Sequence, residues 1–222
     1  MNMNNEEVLR VLVAGANGGI GRQTVEQALN AGHRVRALVR NPASLAIVHP
    51  GLEIVKGDLL QPGTFERYLE NIDVVISAIG VSGGLGADKP TTLYSQGNAN
   101  LLAAMKENGV RRGFFISASA IEISPVLPFF VRLAEKYILQ KLLRHMYADI
   151  RVMEKIIKES AADWTIIRPP RLINKPATGR YRIAINHFLK NCLSISRGDV
   201  AHFMIHNSTN AAVRHATIEI GY

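Results

Sequence analysis

Three glycines spaced G-x-x-G-x-x-G, at Gly15, Gly18 and Gly21, lie in the stretch VLVAGANGGIGRQTVEQALN. That spacing suits one chemistry, the holding of an anion against bare main-chain amides. Gly15 lets the chain turn sharply out of the apolar run before it. Gly18 has no Cβ, so a diphosphate can approach the backbone, and Gly21 lets the following helix pack tightly on the strand. The first-turn amides, framed by Ala16, Asn17, Gly19 and Ile20, then point at the phosphates with the helix dipole behind them.

A dinucleotide turn has a second determinant at the end of the next strand, where an acid would take a ribose hydroxyl. No acid is present here. Arg36 and Arg40 lie four apart on one face of that strand, and Arg40 stands at its carboxyl end. A guanidinium offers a 2′-phosphate charge-assisted hydrogen bonds, so NADP(H) is expected in preference to NAD(H). Asp58 and Leu59, in KGDL, follow the third apolar run; the Asp can meet the adenine amine or simply form a turn after Gly57. Ala78, Ile79 and Gly80 close the fourth run, where small side chains leave room for ribose and phosphates.

These residues need a scaffold, and the chain supplies an alternating one. Strands are expected at Leu9–Ala14, Val35–Val39, Leu52–Val55, Asp73–Gly80, Gly113–Ser119 and Asp163–Pro170. Helices are expected at Arg22–Ala31, Pro62–Asn71 and Gln96–Asn108, with a mobile loop at Gly83, Gly84 and Gly86. Such alternation implies an α/β fold: one doubly wound parallel sheet with right-handed crossovers, its ligand beyond the carboxyl ends of the strands. Residues 1–222 are expected to form a single dinucleotide-binding domain. A helical, lid-like segment at about 124–160 breaks the rhythm, with a bend expected near Tyr147 to Asp149. Asp199, in SRGDVA, is a helix start signal.

Composition bounds the class. The chain has 222 residues, 47% of them apolar and 20% charged, which fits a folded domain rather than disorder. One cysteine, Cys192, excludes an internal disulfide. No secretory leader is visible, and no apolar run nears the roughly 18 residues of a membrane span, so a cytoplasmic protein without membrane partners is expected. The net charge of +8 favours phosphate-bearing partners. No nucleic-acid motif accompanies it, so no nucleic acid is expected. His202 and His206 lie four apart on an expected helix without a third ligand, and no metal is expected.

The glycine turn, KGDL, VVISAIG, GNANLLAAMKENGVRRGFFIS, DWTIIRPPRL and ISRGDVAHFM together resemble the atypical short-chain dehydrogenase/reductases. Within them the chain is most similar to the NAD(P)H-binding group that includes biliverdin reductase B (flavin reductase) and the NmrA-like proteins. The resemblance covers nearly the whole chain. It implies a Rossmann fold, an NADPH site at Gly15 to Gly21 and Arg40, and a nicotinamide end near Ser117 and Arg168-Pro169-Pro170. It also implies a serine facing the nicotinamide, either Ser117 or Ser119. Many members use a Tyr-x-x-x-Lys pair, whose Lys lowers the pKa of the phenol. Tyr137 and Lys141 have that spacing, and Tyr147 and Arg151 a looser version. Matching MEKIIKES to the family instead puts Met146 and Ile150 at the pair's place. Arg171 stands where biliverdin reductase B has a His, so a fixed positive charge would meet an acidic substrate there.

The expected function is an NADPH-dependent oxidoreductase that passes hydride to a flavin, quinone or similar conjugated acceptor. The alternative is an NmrA-like NADP(H) sensor or regulatory protein without catalysis. The expected partner is a small-molecule acceptor, and the expected state a monomer or small homo-oligomer.

Overall fold

The computed structural model describes residues 7–81, 89–123, 125–126 and 140–222. Gly83, Gly84, Gly86 and Tyr137 lie outside the described residues. Strands β1 (Arg10–Ala14), β2 (Arg34–Val39), β3 (Leu52–Lys56), β4 (Val74–Ser77), β5 (Arg112–Ile116) and β6 (Asp163–Arg168) form where the apolar runs are. Helix α1 (Gly19–Asn30) follows β1, α2 (Leu93–Glu107) follows β4, and α3 (Arg144–Glu159) precedes β6. Beyond β6 come β7 (Arg171–Ile173), β8 (Arg182–Ile185), β9 (Ser194–Ser196), α4 (Arg197–His206) and β10 (Ala216–Gly221).

Eight strands make one sheet in the order β3-β2-β1-β4-β5-β6-β10-β8, and β7 and β9 pair separately. Neighbours in the large sheet run parallel except β8, which is antiparallel to β10 at the edge. β1 lies between β2 and β4, so the strand order reverses there, and the carboxyl ends of these strands must splay apart.

Both faces of the sheet are covered, which is why its central strands are apolar along their whole length. Val11 and Val13 of β1 pack with Val25 and Leu29 of α1 and with Val200 and Phe203 of α4. Leu12 and Ala14 face the opposite layer, with Leu101 and Met105 of α2 and Ile150, Met153 and Ile157 of α3. The spacing of those last three puts them on one stripe of α3, the face a sheet-packing helix must bury.

Two expected elements differ. Pro62–Asn71 yields only a short 3-10 helix at Glu66–Leu69. The Glu66 carboxylate takes the amides of Gly63 and Phe65, at 2.8 and 3.0 Å, and left-handed backbone at Gly63 and Asn71 bounds the segment. The bend expected near Tyr147 to Asp149 is absent. α3 runs unbroken from Arg144, and the break lies before it, at Leu143 after a helical turn at Gln140–Leu142. Among the described residues no helix is long and apolar enough to cross a membrane.

Candidate functional site

The carboxyl ends of β1, β2, β4 and β5 open on a cleft of about 670 Å³. That volume lies within the range of about 300–1,000 Å³ usual for small-molecule sites. At its floor, Gly15 holds φ +76°, and a Cβ there would stand 2.6 Å from the Ala78 carbonyl oxygen. The chain can therefore turn past β4 only as glycine. The Gly15 carbonyl accepts from the Gly18 amide at 2.9 Å, which closes the turn, and the Arg22 amide bonds to Gly18 at 2.8 Å, which starts α1. Among the described residues no side chain caps α1, and no acid lies in its first turn. Its leading amides and the positive end of its dipole are thus left for an anion.

Gly15, Asn17, Gly18, Gly19 and Ile20 all line the cleft. Ala16 is buried beneath it, and Gly21 is the packing contact of α1 on the turn. Ala78, Ile79 and Gly80 form the opposite wall, and Asp58 and Leu59 line the cleft as well. Asp58 also builds its turn, since its carboxylate takes the Leu60 amide at 3.0 Å.

The structure separates the two arginines of β2. Arg36 is spent on its neighbours, Glu53 at 2.7 Å and the Tyr68 carbonyl at 2.7 Å. Arg40 is exposed, lines the cleft beside Asn41 and Ser44, and makes no hydrogen bond or ion pair with the described residues. Asn41 takes the Ala43 amide at 3.2 Å and Ser44 donates to the Asn41 carbonyl at 2.6 Å, so this corner is held rigid.

At the other end Ser117 lines the cleft and is nearly buried. Its hydroxyl donates to Glu154 Oε1 of α3 at 2.7 Å. The same carboxylate takes Arg168 Nε at 2.8 Å and Nη2 at 2.6 Å, and Lys158 Nζ at 3.0 Å. Burial alone would push the Glu154 carboxyl up. The Arg168 guanidinium, the Ser117 hydroxyl and the Lys158 charge outweigh it and hold the group below its ordinary range. Glu154 is therefore an anion that accepts the single proton of Ser117. The serine consequently presents lone pairs, not a proton, to the cleft. Tyr94 also lines the cleft, and its hydroxyl accepts the Val81 amide at 3.3 Å. Burial pushes that phenol up, so it stays protonated.

Other expected residues lie elsewhere. The Ser119 amide bonds to the Pro169 carbonyl at 3.0 Å, which ties the ends of β5 and β6 together, and neither residue lines the cleft. Lys141 and Arg171 are exposed and also stand outside its lining. Arg168 is turned inward, between Glu154 and the exposed Glu122, which it meets at 2.7 Å. Sequence reasoning passed over Glu154 and Asp149. Asp149 takes the Tyr94 amide at 2.8 Å and the Ser95 hydroxyl, so it caps α2 from α3. The only local signal for either was an acid on the apolar stripe of an amphipathic helix.

A family described as NAD(P)H-binding matches residues 15–211. The uncharacterized sugar epimerase YhfK of Bacillus subtilis is 32% identical over 200 residues, covering 89% of this chain and 86% of that protein. Photosystem II assembly factor Ycf39 of Synechocystis sp. is 37% identical over 123 residues, which is 54% of this chain and 37% of that one. Against several curated relatives the match spans less than two thirds of their length, from 37% to 61%. Among solved structures, a short-chain dehydrogenase/reductase from Veillonella parvula DSM 2008 in complex with NADP superposes with a TM-score of 0.77. It is 19% identical, covers 97% of this chain and 95% of its own, and shares the fold.

Proposed function

The chain belongs to the NAD(P)H-binding family that matches it over residues 15–211, and from that membership we propose an NADPH-dependent reductase that passes hydride to a flavin, quinone or similar conjugated acceptor. The observation that carries this reading is one continuous cleft. It joins the start of α1, an Arg40 without a partner among the described residues, and a buried serine at its far end.

The dinucleotide fits these residues. The α1 amides would take its diphosphate and Arg40 with Ser44 a 2′-phosphate. Ser117, an acceptor toward the cleft, would take the amide hydrogens of the nicotinamide and so fix the face of the ring. The bound nicotinamide supplies the hydride. Because Ser117 has no proton to give, a planar acceptor stacked on the ring would draw its proton from water. Flavins and quinones tolerate this, whereas a simple carbonyl needs a positioned acid. The acceptor is then the small-molecule partner, and the protein works as a monomer or small homo-oligomer.

Mixing the protein with NADPH and either FMN or a quinone, and following the absorbance of the reduced nicotinamide, tests the activity. Sustained oxidation is expected. Tight NADPH binding without turnover would favour the second reading, a regulatory NADP(H)-binding protein. That reading draws on the relative that carries the name of an assembly factor rather than of an enzyme.

The cofactor preference has its own test. Arg40→Ala is expected to weaken NADPH binding about tenfold or more, the usual loss of a charge-assisted contact. NADH affinity should stay as it was. Titrations of both nucleotides by fluorescence decide it, and an intact preference for NADPH in the variant removes Arg40 from the 2′-phosphate.

A further inference from the structure

The cleft holds a second arginine, supplied from the other end of the chain. Arg197 is the first residue of α4, half-buried, and it lines the cleft beside the glycine turn. Its side chain crosses directly over Gly19. A Cβ built on that glycine would lie 2.5 Å from Arg197 Cδ and 2.6 Å from Nε. Gly19 has an ordinary helical backbone, so a side chain there would meet only this arginine and push it aside.

The small β7–β9 sheet sets the position. Its register pairs Arg171 with Ser194, Leu172 with Ile195 and Ile173 with Ser196. The next residues in line are Asn174 and Arg197, and they meet: Arg197 Nη1 donates to Asn174 Oδ1 at 2.6 Å. Ser196 caps α4 by accepting the Asp199 amide at 2.8 Å, which fixes where the helix, and so Arg197, begins. Among the described residues Arg197 has no other hydrogen bond and no carboxylate partner. A guanidinium has five donors in a planar fork. One of them is anchored, and the rest stand over an uncapped helix start built to take phosphate oxygens.

We infer that Arg197 is a second phosphate-binding arginine, which closes over the dinucleotide's diphosphate and clamps it against the glycine turn. The inference rests on the dinucleotide reading of the cleft. It assigns the two arginines different work. Arg40 senses the 2′-phosphate and separates NADPH from NADH, while Arg197 grips what both nucleotides share. Because Arg197 follows β9, the clamp also ties cofactor binding to the β7–β9 pair, whose Leu172 lines the same cleft.

Titration of the intact protein with NADPH, NADH and 2′-AMP separates these roles, since 2′-AMP carries the 2′-phosphate and no diphosphate. Arg197→Ala is expected to weaken NADPH and NADH by the same factor, about tenfold or more, and to leave 2′-AMP as in wild type. Arg40→Ala should give the complementary pattern, losing NADPH and 2′-AMP and sparing NADH. Arg197→Gln keeps the stem over Gly19 and a donor for Asn174 but removes the charge. It should show the same equal loss, so the test survives if the alanine variant folds poorly. Arg197→Lys should recover part of the affinity. Undiminished affinity for both dinucleotides in Arg197→Gln overturns the clamp while leaving the cofactor reading intact. Equal loss of 2′-AMP also overturns it, because the cleft as a whole would then have collapsed. A wild-type protein that binds neither dinucleotide removes the cofactor reading and the clamp with it.

Discussion

Gly21→Ala is expected to weaken dinucleotide binding at least about a hundredfold and to lower the melting temperature of the free protein. A Cβ at this position falls on the Gly15 carbonyl oxygen, 2.8 Å from the Gly15 carbonyl carbon and 2.9 Å from Ala16 Cα. All of these are backbone atoms, so no rotamer change relieves the overlap. Either α1 moves off the turn or its first turn unwinds. Overpacking of this kind costs about 1–3 kcal/mol. The displaced amides then no longer converge on one diphosphate. Losing two charge-assisted hydrogen bonds, at about 1.5–3 kcal/mol each, lowers affinity by at least about a hundredfold. Gly32→Ala is the control. Gly32 also has positive φ, +82°, but no heavy atom lies within 4 Å of the place its Cβ would take. It should lose only the roughly 1–2 kcal/mol of a left-handed backbone and bind NADPH as before. Thermal melts of both variants with and without NADPH make the comparison. A Gly21→Ala protein still stabilised by NADPH to the wild-type extent would refute the glycine turn as the phosphate site.

Glu154→Ala should destabilise the fold by about 3–5 kcal/mol, the usual result of removing one partner from a buried ion pair. Glu154 is 3% exposed and Arg168 6%, so water cannot replace the lost carboxylate. Arg168 would keep only the exposed Glu122, and the Ser117 hydroxyl would lose its acceptor. The effect depends on pH. Glu154 sits below its ordinary pKa of 4.5 in the folded state. Its contribution is therefore complete above that value and fades as the pH falls through the lower, folded-state value. The wild-type and variant stability curves should converge in acid and stand apart near neutrality. Asp199 and Asp73 are also held low, Asp199 by the Tyr222 hydroxyl and the Thr178 and Gly179 amides and Asp73 by Arg10, so the variant keeps part of the acid slope. Chemical denaturation across acidic and neutral pH provides the measurement. Parallel curves at all pH values would mean that Glu154 is not the ionised centre of this cluster.

How much was legible depended on the distance over which each feature is encoded. The glycine turn, the strand before it and the helix after it were readable because each residue answers a demand of its immediate backbone. Gly15 at φ +76° is such a case. The six parallel strands were readable because strands covered on both faces must be apolar throughout. β7 to β10 were not foreseen. β7 and β9 have only three residues each, and β8 is an edge strand whose Ile183 and Ile185 remain partly exposed. Short or half-exposed strands carry little periodicity, a reason that does not extend to β10, six residues long and mostly buried between β6 and β8. The helix expected at Pro62–Asn71 failed for a different reason: Gly63 and Asn71 hold left-handed backbone, φ +88° and +57°, so the helical stretch between them is short.

By itself, then, the sequence determined the first six strands with the helices after β1 and β4, the glycine turn, and the presence of basic rather than acidic groups at the end of β2. These follow from local spacing and from what each residue type allows its own backbone. Only the tertiary structure decided which arginine stays free, because Arg36 is claimed by Glu53 and the Tyr68 carbonyl while Arg40 is not. It also decided that the Ser117 proton points to Glu154, 37 residues away, and that Arg197 lies across Gly19. Those outcomes depend on which side chains the packing of distant helices brings within 3 Å. A pairing of that kind leaves no periodic trace in the chain.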